Sequence, residues 1–485
     1  MKQKVLEDPG RFKWLMLALG LAACLFTNGR WNIPYAFWIW PFCILFYFRT
    51  SKIIRGLRCV CPETQKDLFC EKDRSFLFSP STAGLFFLLT LPRFGIIMAS
   101  GNQSGGEGMQ GFQNVRALGA FGDGLHDDAA VLNRLIRSGQ KKLFLPCGHY
   151  LLRGTLLLES GTEILADENA CLQLAPGAQK GRRDFLAANG CAAEHIRIRG
   201  GVWDGNSAQN SRGADLFDPA ATSGALFSFR GVKHLSLTDM KLKNPLCYYL
   251  RFCEAEDVLL ENLVFESEDL HINQDGVHLA GFCRRFTIRN LRGVNGSPGD
   301  DFIALNADDC LTRQESFDMI NGPQSEILIE NIHADECHCF VRLLSVASPI
   351  ERVTIRNITG CCRGTAINMD AARHCRVPLF RPGDEIAENG VGHLKNVRIE
   401  NVRVGRKQAT DEPFIAAETN AERLEIRDFQ VLSPSGGPVV AISDLAPHRV
   451  LYQRGQTSLD ESLPPRARRA FTDPAFDTLI LEITD

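Results

Sequence analysis

Residues 285–293 read RFTIRNLRG, 326–334 EILIENIHA, 352–360 RVTIRNITG and 396–404 NVRIENVRV. Each is a short alternation of apolar and polar residues, the mark of a strand with one buried face, broken by a turn residue. Working outward, the unit recurs as HIRIRGGVW at 195–203, HLSLTDMKL at 234–242, DVLLENLVF at 257–265 and RLEIRDFQV at 423–431, with Asn, Asp or Gly at the break. Successive units start about 23 to 44 residues apart. A second short strand precedes most of them: LFSFR at 226–230, CYYLR at 247–251, GVHLA at 276–280, FIALN at 302–306, FVRLL at 340–344 and AINMD at 366–370.

Period-two strands in units of about 25 residues, separated by turn residues, are the signature of a solenoid. Longer intervals need only longer loops at one corner. A propeller needs four strands per blade, and a leucine-rich repeat needs its own Leu/Asn spacing; neither fits as well. The predicted fold is all-β, a right-handed single-stranded parallel β-helix over 112–445. Residues 446–485, with Pro464-Pro465 and an arginine cluster, read as a tail or end cap.

The 485-residue chain is 45% hydrophobic and 23% charged, too apolar for a disordered chain. Its net charge of −3 argues against a basic nucleic-acid binder. The 17 cysteines are odd in number and lack paired CxxC spacing, so they read as mostly buried, reduced thiols rather than a disulfide framework. The strongest hydrophobicity comes before residue 100. Residues 14–27 (WLMLALGLAACLFT) and 33–48 (IPYAFWIWPFCILFYF) are flanked outside by Lys and Arg, as in a hairpin embedded in a membrane with both ends in the cytoplasm. The expected organisation is a hydrophobic helical hairpin over 1–58, then a segment 59–111 of unassigned role ending in a Gly-rich linker. Within that segment, 84–99 (GLFFLLTLPRFGIIMA) is interrupted by Pro92 and Arg93. If it spans, the solenoid is membrane-anchored and extracytoplasmic, which is the favoured expectation; if not, the solenoid is cytoplasmic.

Residues 114–136 (NVRALGAFGDGLHDDAAVLNRLI) resemble the opening segment of the pectate-lyase-like β-helix superfamily, and GGVWDGN at 200–206 is similar to a turn of family 28 glycoside hydrolases, the polygalacturonase group. Asn273-Gln274-Asp275-Gly276 resembles that family's Asn-Thr-Asp-Gly, and Gly299-Asp300-Asp301 its Asp-Asp pair before an apolar strand. Independently, laying GVHL (276–279) on FIAL (302–305) puts Asp275 beside Asp301, because neighbouring coils stack about 4.8 Å apart. Three gathered carboxylates repel, so at least one is expected to have a raised pKa. A protonated carboxyl beside ionised ones is what glycoside hydrolysis requires. The resemblance implies an inverting hydrolase with Asp300 as general acid and Asp275 and Asp301 holding the water.

Continuing the alternation, with Ile303 and Leu305 inward, turns Phe302, Ala304 and Asn306 outward. It does the same for Ser228, Arg230, Tyr249, Arg251, His278 and Arg342 on stacked coils. Of these, Asn306, Arg230, Tyr249, Arg251, His278 and Arg342, together with Asn273, His338 and Asn368, are the candidate substrate-binding residues. The cationic face and the tyrosine suggest a groove for a polysaccharide, pectic or otherwise uronic-acid-containing. The family's Gly-His-Gly region is matched by Cys337-His338-Cys339, one residue out of register. Ala366 and Asn368 stand where its Arg and Lys would be, which puts polygalacturonan itself in question. No metal or cofactor is expected, since Cys-His-Cys lacks a recognisable fourth ligand. The alternatives are a polysaccharide lyase on the same fold, with Arg251 or Arg342 as base, and a non-catalytic glycan-binding solenoid.

Overall fold

The structure is a computed structural model that describes residues 110–485, apart from 179–184, 212–223, 309–318, 371–391, 434–435, 444–449, 454–455, 460–467 and 484–485. The hydrophobic stretches at 14–27, 33–48 and 84–99 lie outside the described residues. Among the described residues, no helix is long and apolar enough to cross a membrane.

Among the described residues, the strands form one sheet of 17, one of 11 and a separate antiparallel pair. Each long strand bonds not to its own coil but to its counterpart one coil away. Glu256–Glu266 pairs in parallel with Arg284–Val294, that with Gln324–Cys337, then Ile350–Cys362, Leu394–Gly405 and Ala421–Val431. Short strands do the same, from Leu156–Leu158 through Val277–Leu279 to Val440–Ser443. This pairing defines a parallel β-helix.

The nine-residue unit is explained by its backbone. Its sixth residue has positive φ in every copy: Gly200, Asp239, Asn262, Asn290, Asn331, Asn357, Asn401 and Asp428. Asn and Asp tolerate that left-handed conformation better than other side chains. There the strand bends and the alternation resets, so Val258, Leu260, Leu263 and Phe265 all face inward around Asn262. The asparagines also bond to each other along the stack. Each Nδ2 donates to the Oδ1 one coil back: Asn290 to Asn262 at 3.1 Å, Asn331 to Asn290 at 2.9 Å, Asn357 to Asn331 and Asn401 to Asn357 at 2.8 Å.

The opening motif ties down the first coil. Asp128 is fully buried and accepts the N–H groups of Phe121 and Gly122. Asp127 accepts those of Ala129 and Arg153. The helix Ala129–Arg137 buries Ala129, Leu132, Leu135 and Ile136. Its Asn133 bonds the edge strand, donating to the Thr155 carbonyl and accepting from Leu157 N–H, which protects an edge from further pairing. At the other end, Ala475–Ile483 and Arg468–Phe471 run antiparallel on the last strands of the two sheets. Of the ten described cysteines, all unbridged, six are buried.

Candidate active site

The site lies on the 11-stranded sheet. Parallel register stacks Ser228, Arg251, His278, Ala304, Arg342 and Asn368 in one column. Val277 pairs with Ile303, and Gly276 N–H donates to the Asp301 carbonyl, so Asp275 and Asp301 are neighbours on adjacent coils. Glycine is required at 276: a Cβ there would lie 2.6 Å from the Phe302 carbonyl oxygen.

Simple alternation fails at the corner before these strands. Phe340 and Val341 N–H both bond to the Ala366 carbonyl, and Ala366 and Ile367 N–H both bond to that of Phe414. Such doubled bonds mark a bulge-like slip of one residue. Two successive residues also face the core at two other corners, which corrects two expectations. Phe302 points inward with Ile303, and Tyr249 points inward with Leu250; both rings lie 5.2 Å from that of Phe265. Tyr249 is therefore core, not groove. Its neighbour Tyr248 takes the groove side, with its ring 4.5 Å from that of His278.

Asp275 is 4% exposed, and its Oδ2 lies 2.7 Å from His278 Nδ1. Asp301 is equally buried; its Oδ2 lies 3.6 Å from Arg342 Nη1 and its Oδ1 3.8 Å from His338 Nδ1. Asp300 is the most exposed of the three. Its Oδ1 lies 3.2 Å from His338 Nδ1, and its Oδ2 accepts the backbone N–H of Asn273 at 2.7 Å. The loop before Asp275 is fixed by Gln274, fully buried, whose Nε2 donates to the Pro245 and Asp269 carbonyls and to Ser267 Oγ.

Burial pushes the Asp275 carboxyl up to about 7, opposed by His278 and reinforced by the charges of Asp300 and Asp301. Hydrogen bonds to Asp300 and Asp301 raise the His338 imidazole to about 10, so it is a cation at neutral pH.

His338 meets both aspartates despite its offset in sequence. The register of Gln324–Cys337 on Ile350–Cys362 shifts between Ala334 and Cys337, which absorbs the extra residue. Arg251 is also different from its expected role: it is 1% exposed, bonds Ser228 Oγ at 3.1 Å and lies over the rings of Phe185 and Tyr248. It is a buried support of the groove wall. Arg230 stands two positions farther along its strand, exposed and 2.7 Å from Glu254, apart from the aspartates. Asn306 is buried and paired with Leu344, two positions beyond the Ala304–Arg342 step. Asn273 is buried with φ of 61°, and its backbone N–H is the donor to Asp300. Asn368 follows Arg342 in the column.

Asp300, Asp301 and His338 place three possible ligand atoms within 4.8 Å of one another. The flanking Cys337 and Cys339 are buried against backbone carbonyls and add nothing to that set. One contributor has no local sequence signal: Arg363 reaches the loop before Asp300 from 64 residues away.

No family model matches the chain. A polygalacturonase of Persea americana is 20% identical over 208 residues, 41% of this chain and 38% of that one. Among solved structures the chain is similar to a family 28 exopolygalacturonase of Yersinia enterocolitica, with a TM-score of 0.49 and 15% identity over 68% of this chain and 64% of that one. It is also similar to the surface adhesin PfbA of Streptococcus pneumoniae, with a TM-score of 0.46 and 16% identity over 68% and 88%. The match spans less than two thirds of either polygalacturonase. In sequence the chain is similar to a polygalacturonase over part of its length, and its own strand pairing makes it a parallel β-helix.

Proposed function

We propose that the chain is a glycoside hydrolase acting on a pectin-like polysaccharide by inverting acid/base catalysis. The observation that carries this reading is the convergence of Asp275, Asp300 and Asp301 with His338 and Arg342 at one point of the outward column. Asp300, the most exposed carboxyl, reaches the leaving oxygen and gives it a proton. His338, cationic and 3.2 Å away, holds the Asp300 carboxyl in place, and Asp300 regains its proton from solvent after the product leaves. Asp275 and Asp301 orient the attacking water and take its proton. The adjacency of the two coils that carry these carboxyls supports this division of roles.

The lyase alternative needs an accessible base. Arg251 and Arg342 are buried and engaged, which speaks against either as that base. The N-terminal stretches 14–27 and 33–48 are proposed to hold this domain at a membrane, and protease protection in intact cells tests that. For the reaction, the full chain is incubated with a panel of pectin-like glycans and the new reducing ends are read by NMR. Inverted anomers are expected. Retained anomers or unsaturated ends would overturn the mechanism.

A further inference from the structure

We infer that Arg363 is a positioning residue that sets the Asp300–His338 pair, an inference that rests on the hydrolase reading. Arg363 directly follows the strand Ile350–Cys362, two coils beyond Asp300. Its side chain returns to the loop that delivers Asp300: Nη1 donates to the Gly296 carbonyl at 3.0 Å, and Nη2 donates to those of Pro298 and Gly299 at 3.3 and 2.9 Å. A carbonyl left without a donor in a partly buried loop is costly, and Pro298 has no N–H with which to build a local turn bond. The guanidinium fork supplies three bonds from one planar group, which a lysine cannot match.

The backbone of the same segment holds the other half of the pair. Arg363 N–H donates to the Cys337 carbonyl at 2.8 Å, and Gly364 N–H donates to the His338 carbonyl at 3.0 Å. One short segment therefore references both Asp300 and His338, whose facing atoms lie 3.2 Å apart. It is itself braced. Arg406, buried, donates to the Gly364 carbonyl through Nε and Nη2 and to the carbonyls of Glu412 and Pro413. Glu336 Oε2, 3.6 Å from Arg363 Nη1, orients the fork from the coil between.

The loop 296–299 packs closely against the Asp275 side as well. A Cβ at Gly299 would meet Gln274 Oε1 and the His271 carbonyl at 2.7 Å. Releasing the loop from Arg363 therefore moves Asp300 relative to His338 rather than unfolding a coil. Misplacement of about 1 Å in a catalytic group costs on the order of 100-fold in rate.

The test compares Arg363→Met, Arg363→Lys and Arg363→Ala in the full chain. Arg363→Met is expected to lower kcat about 100-fold with KM within about threefold, while the chain stays folded by circular dichroism. Arg363→Lys is expected to recover part of the rate, and free guanidinium is expected to restore Arg363→Ala. The ring resonances of labelled histidine, with His338 assigned by a His338→Gln variant, give a readout that needs no substrate. The His338 titration is expected to move to lower pH in Arg363→Met as its contact with Asp300 loosens. An unchanged His338 titration, or a rate loss that only tracks the folded fraction, would overturn the inference. If the wild type cleaves no glycan while the titration still moves, the hydrolase reading fails and the positioning of the pair by Arg363 stands.

Discussion

The two large sheets are made of the same alternating strands but treat their outward residues differently. On the long-strand sheet, outward side chains are solvated and paired across coils: Arg199 with Asp239, Arg289 with Glu261 and Arg356 with Glu330. On the short-strand sheet, the outward column holds Arg251, His278 and Arg342, each 6% exposed or less, beside three carboxylates. Burying ionisable groups is expensive unless they are paired, and stability alone would favour apolar residues there. One face is a solvated wall; the other keeps charge in a costly place, and this cost is what a reaction would repay.

The largest expected effect sharpens that contrast. Asp300→Asn should lower kcat by about 10²- to 10⁴-fold with no loss of folding, because general acid catalysis is worth that much. Arg356→Gln on the other sheet should leave kcat unchanged. Equal losses from both, measured on the same glycan, would mean that the two faces do not differ in function.

Next comes Asp275, where activity and stability should move in opposite directions. Its carboxyl titrates near 7 in the folded chain, against 3.8 for the ordinary group. Below pH 3.8 it is protonated in both states and folding is unaffected. Between 3.8 and 7 the folded state holds a proton that the unfolded state has lost, so stability falls as pH rises. Above 7 the penalty is complete, up to about 4 kcal/mol. Asp275→Asn should therefore unfold at a higher temperature than wild type at pH 8, and at a similar temperature near pH 3, while losing activity. The pH profile of wild-type kcat/KM assigns the base. An acid limb near 7 fits Asp275, whereas no limb near 7 would mean that another group is the base.

The difference between the sheets also explains what could be read from the sequence. The long sheet was legible because each bend is an Asn or Asp in a fixed place in the unit, from Asp239 to Asp428. The position of Asp275 beside Asp301 was legible because Gly276 and Phe302 fix the register of two adjacent strands. Tyr249 and Phe302 depart from simple alternation because two adjacent residues at each corner, Tyr249 with Leu250 and Phe302 with Ile303, face the core, and no residue type announces that departure. The offset of His338 was absorbed by a shift in the preceding strand, between Ala334 and Cys337. Arg251 and Arg230 look alike in sequence, yet one is buried on aromatic rings and the other is ion-paired in solvent. Arg363 was invisible because its acceptors are backbone carbonyls more than 60 residues away.

A smaller effect is expected from the asparagine stack. Asn331 donates to Asn290 and accepts from Asn357, with φ of 58°. Asn331→Ala loses two exposed hydrogen bonds and puts a less tolerant residue in the left-handed region. The expected cost is about 1–2 kcal/mol, read by denaturant unfolding. Asn331→Gly should recover part of it, because glycine adopts that φ freely. If Gly is as damaging as Ala, the stack is held by its side-chain bonds and not by the bend.

The smallest expected effect is at the ion pairs that define the solvated wall. Arg356 donates to Glu330 through Nε and Nη2 at 2.8 and 2.5 Å, with about half of the arginine side chain in solvent. Pairs of this kind typically contribute under about 1 kcal/mol, and salt screens them. Arg356→Gln should shift the unfolding midpoint slightly at low salt and not measurably at high salt. A loss that persists in high salt would show that this wall, like the short-strand sheet, carries desolvated charge. The contrast between the two sheets would then rest on the aspartates and not on burial.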